Sequence, residues 1–325
     1  MKRFFSARKV RLYSGVLFAV VAGCTRAPQT QKPVAPVVPI ARVWGERGAG
    51  AGEFTEPRAL TVAPDGFVFV ADTTGRIIKW TRDGKYVSSW RSPKLRYNQP
   101  EGPEGITVLH NGNLAFTNTH DSKVLIYTPG GKLIRSFGTY GTRPGQFLLV
   151  TGIVSDSDGF IYCADYGGAF DRISKWTQNG KLVATWTGHG EGPRQFRRPC
   201  GLAIARDAQG REGDLLVTDT NNHRLQRLDR KTGKFKGTIG TMGRGNGQLI
   251  YPFGVAVDKT GQIYVVEFGN HRVQKFSREG QWLASWGSAG RTPGKLANPR
   301  GIAVDRDQNV YIADTLNHRV QKFHF

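Results

Sequence analysis

Beyond one apolar run near its start, the chain shows no helical spacing of hydrophobic positions. It is built of short apolar segments cut apart by Gly, Asn, Asp and Pro. The C-terminal stretch is representative. Gly301–Val304 reads as a strand, Asp305–Gln308 as a turn, and Asn309–Ala313 as a second strand of β-branched and aromatic residues. Thr315–His318 is another turn and Arg319–Phe323 a third strand. Gly, Asn and Asp populate the turns because they tolerate positive φ or hydrogen-bond their own backbone. Segments such as Leu215–Thr218 are nearly all apolar instead of alternating, which implies strands covered on both faces.

The segments repeat. Asp314-Thr-Leu-Asn-His-Arg-Val-Gln-Lys-Phe323 has near copies at Asp219–Leu228 and Glu267–Phe276, with weaker ones beginning at Asp72, Asn118 and Asp165. Each copy follows a Pro-x-Gly-aliphatic-small-aliphatic element, complete at Pro103, Pro199, Pro252 and Pro299. It lacks the Gly at Pro57–Leu60 and the Pro at Val150–Ile153. Its aliphatic anchors are Leu60, Ile106, Ile153, Leu202, Val255 and Ile302, at spacings of 46, 47, 49, 53 and 47. Six units of about 40–50 residues, each with four short strands, predict an all-β, six-bladed β-propeller. An isolated blade cannot cover both of its faces, whereas radial stacking covers them. The sixth unit ends one strand short. The outer-strand signature, an aromatic or Ile followed closely by Gly, occurs once near the front, at Trp44-Gly45. Ile40–Trp44 is therefore expected to pair with Arg319–Phe323 and close the ring, making residues 40–325 one domain despite their length.

Residues 1–23 are not part of that fold. A basic start precedes an apolar run from Leu12 to Ala22, too short to span a bilayer as a helix. It reads as an export signal. Val21-Ala22-Gly23-Cys24 resembles the bacterial lipoprotein lipobox. The resemblance implies cleavage before Cys24, lipidation of its thiol and acylation of the new amino terminus, an anchor of more than one chain. Residues 24–39 are Pro-rich and form a semi-extended tether. This places the protein outside the cytoplasm on a bacterial membrane, facing periplasm or cell surface.

The net charge is +21; five of those charges lie in residues 1–23, and 21 less 5 leaves +16 for the remainder. Such an excess favours anionic partners such as nucleic acid, anionic lipid or acidic polysaccharide, and the expected ligand is a protein or an anionic small molecule or polysaccharide. An exported chain has no access to cytoplasmic nucleic acid, which makes that partner the weaker alternative. The ring is expected to be a monomer. Cys163 and Cys200 occupy repeat positions in neighbouring blades and read as free and buried, with a bridge left open.

The Asp-x-x-Asn-His-Arg-Val/Leu-Gln element, the Pro-x-Gly-Ile-Ala-Val element and the Gly-x-Gly-x-x-Gly-x-Phe/Leu linker together resemble NHL repeats over about residues 40–325. The likeness is strong in blades four to six, fair in blade one and degraded in blades two and three. It implies a six-bladed propeller. It implies no single function, since that family includes RNA binders, protein binders, sensors and a peptidyl-hydroxyglycine amidating lyase.

The candidate chemistry thins out on inspection. His223, His271 and His318 recur with the blade, as do their acidic partners Asp219, Glu267 and Asp314, so they read as turns and not as metal ligands. Asp156-Ser-Asp158-Gly and Asp305-Arg-Asp307 lack the rest of a calcium loop. Gly240–Gly247 lacks the Gly-Lys-Ser/Thr of a phosphate loop. No nucleophile elbow is present. The residue between Pro and Gly of each inner strand differs from blade to blade: Arg58, Glu104, Thr151, Cys200, Phe253 and Arg300. In a propeller these ring the channel mouth, and they are the expected ligand-binding set, with Arg58 and Arg300 attracting an anion and Glu104 orienting it. Tyr140, His189, Met242 and the loop Lys94–Gln99 are expected around them. The amidating-lyase relatives carry zinc-holding His at several such positions. None of the six here is His, so no cofactor or metal is assigned, and a binding or scaffold protein is preferred over a metal-dependent lyase or hydrolase.

Overall fold

The computed structural model describes residues 38–93 and 102–324. The export signal, Cys24, most of the tether and the loop Lys94–Gln99 lie outside that range. The described strands form six four-stranded antiparallel sheets, each running from an inner to an outer strand. The six inner strands touch their neighbours in sequence and the last touches the first, which closes a six-bladed β-propeller.

Burial falls from the middle of each blade outward. The second strands Val68–Asp72, Leu114–Asn118 and Val310–Asp314 are buried at every position. The outer strand Leu133–Phe137 is exposed at four of its five. This explains the uninterrupted apolar runs: both faces of an inner sheet meet a neighbouring blade. Each large side chain so covered contributes about 1.5–3 kcal/mol.

The sixth sheet is completed from the other end of the chain. Ile40–Trp44 lies antiparallel to Arg319–Phe323, with Val43 opposite Gln321 and Trp44 opposite Val320. Trp44 is 7% exposed. Its ring packs 6.1 Å from Tyr311 of blade six and 6.2 Å from Trp80 of blade one, so it ties the first blade to the last.

The Asn-His-Arg triplets are part of the frame. Each forms a turn whose His sits in the left-handed region, at φ 55° for His223, 52° for His271 and 55° for His318. The acidic partner is fully buried and satisfied. Asp314 accepts bonds from Arg319 Nε at 2.7 Å, Asn317 Nδ2 at 2.8 Å, Gln321 Nε2 at 2.9 Å and the Ala297 backbone at 2.7 Å. Glu267 and Asp219 repeat the arrangement. The paired arginine then reaches the preceding linker: Arg319 donates to Arg291 O at 2.7 Å and Arg272 to Arg244 O at 2.8 Å. Arg76 and Arg172 do the same in blades one and three.

The other short motifs are also frame. Asp156, Asp258 and Asp305 are turn carboxylates that accept a tyrosine hydroxyl at 2.9, 3.1 and 2.9 Å. In the Gly240–Gly247 linker, Thr241–Met242 pairs in parallel with Gln248–Leu249. Among the described residues no helix is long and apolar enough to cross a membrane.

Candidate functional site: the channel mouth

Glycine packing brings the mouth residues together. A Cβ on Gly105 would lie 2.3 Å from Thr151 O, one on Gly152 2.0 Å from Cys200 O, and one on Gly201 2.3 Å from Phe253 O. On Gly254 it would lie 2.5 Å from Arg300 O. Each of these glycines therefore lets the next inner strand approach to backbone contact, at the residue that precedes that strand's own Gly. Arg58, Glu104, Thr151, Cys200, Phe253 and Arg300 accordingly line one cavity of about 80 Å³ on the axis. At about 30 Å³ per water, that space suits a small ion or the head group of something larger.

The six do not play equal parts. Arg58 Nη1 donates to Glu104 Oε1 at 2.8 Å, and Arg300 Nη1 approaches the same oxygen at 3.4 Å. Glu104 is therefore clasped by both arginines and is not a lone orienting group. Thr151 does not present a ligand group: its hydroxyl donates to Pro199 O at 3.0 Å and serves the joint between blades. Cys200 is buried and unbridged, as is Cys163. Burial pushes the Cys200 thiol up to about 12, which keeps it protonated and a poor nucleophile. Phe253 supplies an aromatic wall. The Arg300 guanidinium lies 4.9 Å from its ring centre and 5.5 Å from that of Phe268.

Three residues of the mouth fall outside the six expected positions. Arg198 stacks 5.1 Å from the Tyr166 ring and 5.7 Å from Phe253, and Phe268 backs Phe253 at 5.6 Å. Two of them had a legible signal. The residue after the repeat's acidic or Asn position is Thr in four blades (Thr73, Thr119, Thr220, Thr315) but Tyr166 and Phe268 in blades three and five. Thr220 and Thr315 hydroxyls bond the neighbouring blade's backbone at 2.7 and 2.8 Å, a framework role that an aromatic ring abandons.

The mouth thus gathers three guanidiniums around Glu104, with Glu56 Oε2 at its edge 3.9 Å from Arg58 Nη2. Glu104 Oε2 and the Nε atoms of Arg58, Arg198 and Arg300 are buried with no hydrogen-bond partner. Burial pushes the Arg300 pKa down; Glu104 opposes that shift and Arg58 reinforces it. Tyr166 is raised, first by burial and then by the Glu104 charge. Among the described residues the cluster is short of negative charge, a costly state for partly desolvated cations.

Tyr140, His189 and Met242 lie in the linkers that lead into inner strands, on the mouth's side of the ring. Tyr140 and Met242 are exposed. His189 Nδ1 pairs with buried Asp171 Oδ2 at 2.9 Å, and that same oxygen accepts the Arg198 backbone N–H at 3.1 Å. Among the described residues no group of three or more His, Cys, Asp or Glu is placed to hold a metal.

A family model for the NHL repeat matches residues 249–276 and 296–323. Human NHL repeat-containing protein 3 is 24% identical over 229 residues, 63% of this chain and 64% of that protein. Drosophila melanogaster protein brain tumor is 40% identical over 91 residues, 27% of this chain and 8% of that protein. Xenopus laevis peptidyl-glycine alpha-amidating monooxygenase B is 29% identical over 204 residues, 59% of this chain and 21% of that protein. The chain thus spans less than two thirds of the length of each of these three relatives. Among solved structures, virginiamycin B lyase from Staphylococcus aureus superposes with a TM-score of 0.57 at 17% identity, over 87% of this chain and 94% of that one; the likeness is one of fold.

Proposed function

The chain is an NHL-repeat six-bladed β-propeller, and on that premise we propose that it is a binding protein of the bacterial envelope, held to its membrane through Cys24, whose channel mouth takes an anionic group. One observation carries this reading: Arg58 and Arg300 line a half-open axial cavity and share Glu104, with Arg198 alongside, and four polar atoms of this group are buried without a hydrogen-bond partner. A bound carboxylate, sulfate or phosphate group supplies the missing charge, and Phe253 with Phe268 offers an apolar flank for whatever carries it. The variation among mouth residues suits an asymmetric ligand.

The test uses the mature chain titrated with acetate, citrate, sulfate and phosphate at constant ionic strength, followed by melting temperature and calorimetry. At least one anion is expected to bind saturably, and Arg58→Gln/Arg300→Gln to lose at least tenfold in affinity. Stabilisation that tracks ionic strength alone, or is unchanged in the double variant, rejects the mouth as the site. Lipidation is checked separately: the mass of the mature amino-terminal peptide should correspond to acylated Cys24.

A second reading is supported by the relatives, which include an amidating enzyme. It makes the mouth a metal-dependent lyase or hydrolase site. Stoichiometric zinc or calcium in protein purified without chelator would favour it over simple binding.

A further inference from the structure

The mouth's face carries a second feature, set in the linkers and separate from the axial cavity. Arg143, Arg194, Arg244 and Arg291 occur in the four consecutive linkers that enter blades three to six, and all four are exposed. Among the described residues no carboxylate pairs with them; their neighbour Arg197 is paired with Glu191 at 2.9 Å. The corresponding linker into blade one reads Glu46-Arg-Gly-Ala49-Gly-Ala-Gly-Glu53 and carries no such cation beyond Arg47. Among the described residues these four cations form an arc over the linkers that enter blades three to six.

The arc stands on a rigid base. Where the frame arginines grip the linkers, three of the carbonyls they take belong to the exposed arginines themselves: Arg172 donates to Arg143 O at 3.5 Å, Arg272 to Arg244 O at 2.8 Å and Arg319 to Arg291 O at 2.7 Å. In the fourth linker the Arg194 backbone N–H is held by Gln226 Oε1 at 2.9 Å. Each buried ion pair thus fixes the backbone from which a free guanidinium projects. Exposed rings lie on the same face: Tyr140, Phe170 in the turn of blade three, and Tyr251, which packs 4.6 Å from His223.

We infer that this arc is a docking surface for an acidic polysaccharide, a polyuronate-type chain whose carboxylates pair with the arginines and whose sugar faces lie on the exposed rings. Fixed cations spread over several blades suit an extended polymer with repeating charge, and preorganised backbones reduce the ordering cost of binding.

The probes are polygalacturonate oligomers, neutral dextran of equal length, single-stranded poly-dT and phosphatidylglycerol vesicles, each titrated into the mature chain. Polygalacturonate should bind with salt-sensitive affinity and dextran should not. Arg143→Ala/Arg244→Ala/Arg291→Ala should weaken binding at least tenfold with an unchanged melting temperature, since all three side chains are exposed. Tyr140→Ala should weaken it severalfold. Arg58→Gln/Arg300→Gln should leave it intact, which separates this surface from the mouth. Equal binding of dextran, no loss in the triple variant, or tighter binding of poly-dT or vesicles than of polygalacturonate would each overturn the inference.

Discussion

Two clusters of arginine and carboxylate in this ring use the same residues to opposite ends. In the blade turns, Asp314 and Arg319 are buried together with every strong hydrogen-bonding group engaged, and the arrangement recurs from blade to blade. At the mouth, Arg58, Arg198 and Arg300 crowd Glu104 and leave polar atoms unpaired, and the position that Arg58 and Arg300 fill is Glu104, Thr151, Cys200 or Phe253 in the other four blades. A cluster that repeats and is satisfied holds the blades and their linkers in place. One that departs from the repeat and is left short of charge has been spared from that duty. The contrast separates frame from site more reliably than the identity of the residues does.

The comparison breaks most completely if the frame itself is opened. Deleting residues 40–45 removes the outer strand of blade six and Trp44, whose loss alone is worth about 3–5 kcal/mol. The melting transition should fall by well over 10 °C or lose its cooperativity, and the mouth should lose any anion binding with it, because blade six and blade one meet there through Gly301 and Arg58. A deletion variant that melts like the parent would show that the ring does not depend on this strand.

The sharpest contrast is between two substitutions of the same kind. Arg319→Met leaves Asp314 as a buried charge without its cation and should cost about 3–5 kcal/mol in urea unfolding. Arg300→Met removes one of three crowded cations and places an apolar chain against Phe253 and Phe268. Its expected effect in ligand-free protein is between neutral and a gain of about 1 kcal/mol. Equal losses in the two variants would erase the distinction between frame and site.

Most of the frame could be read from the chain because a blade repeats its own signals: Pro to start the inner strand, Gly to let the next blade approach, and an acid to gather Asn, Arg and Gln. The mouth was legible only in part. The six positions between Pro and Gly do meet on the axis, as blade geometry requires. Their roles did not follow from position. Thr151 spends its hydroxyl on the neighbouring blade, and Glu104 is clasped by two arginines that sit 46 and 196 residues away. Arg198 escaped notice because it precedes Pro199, one step outside the series. It faces inward through a left-handed turn, at φ 56°, that its residue type does not announce.

The smallest expected effect concerns the frame's histidines and is a matter of pH. His223 Nδ1 accepts the Tyr251 backbone N–H at 3.1 Å, a bond available only to an imidazole unprotonated at that nitrogen. Burial pushes the His223 pKa down, with Asp219 opposing. The folded chain therefore resists a proton that the unfolded chain takes up near pH 6.5. The contribution to stability is complete above about pH 6.5 and declines as the pH falls below it, until the folded form also protonates. Unfolding midpoints measured from pH 7.5 to 5 should fall, and a His223→Gln variant should fall less over that range while starting lower. A parent and variant with parallel pH profiles would mean that this turn holds its neighbour without the imidazole.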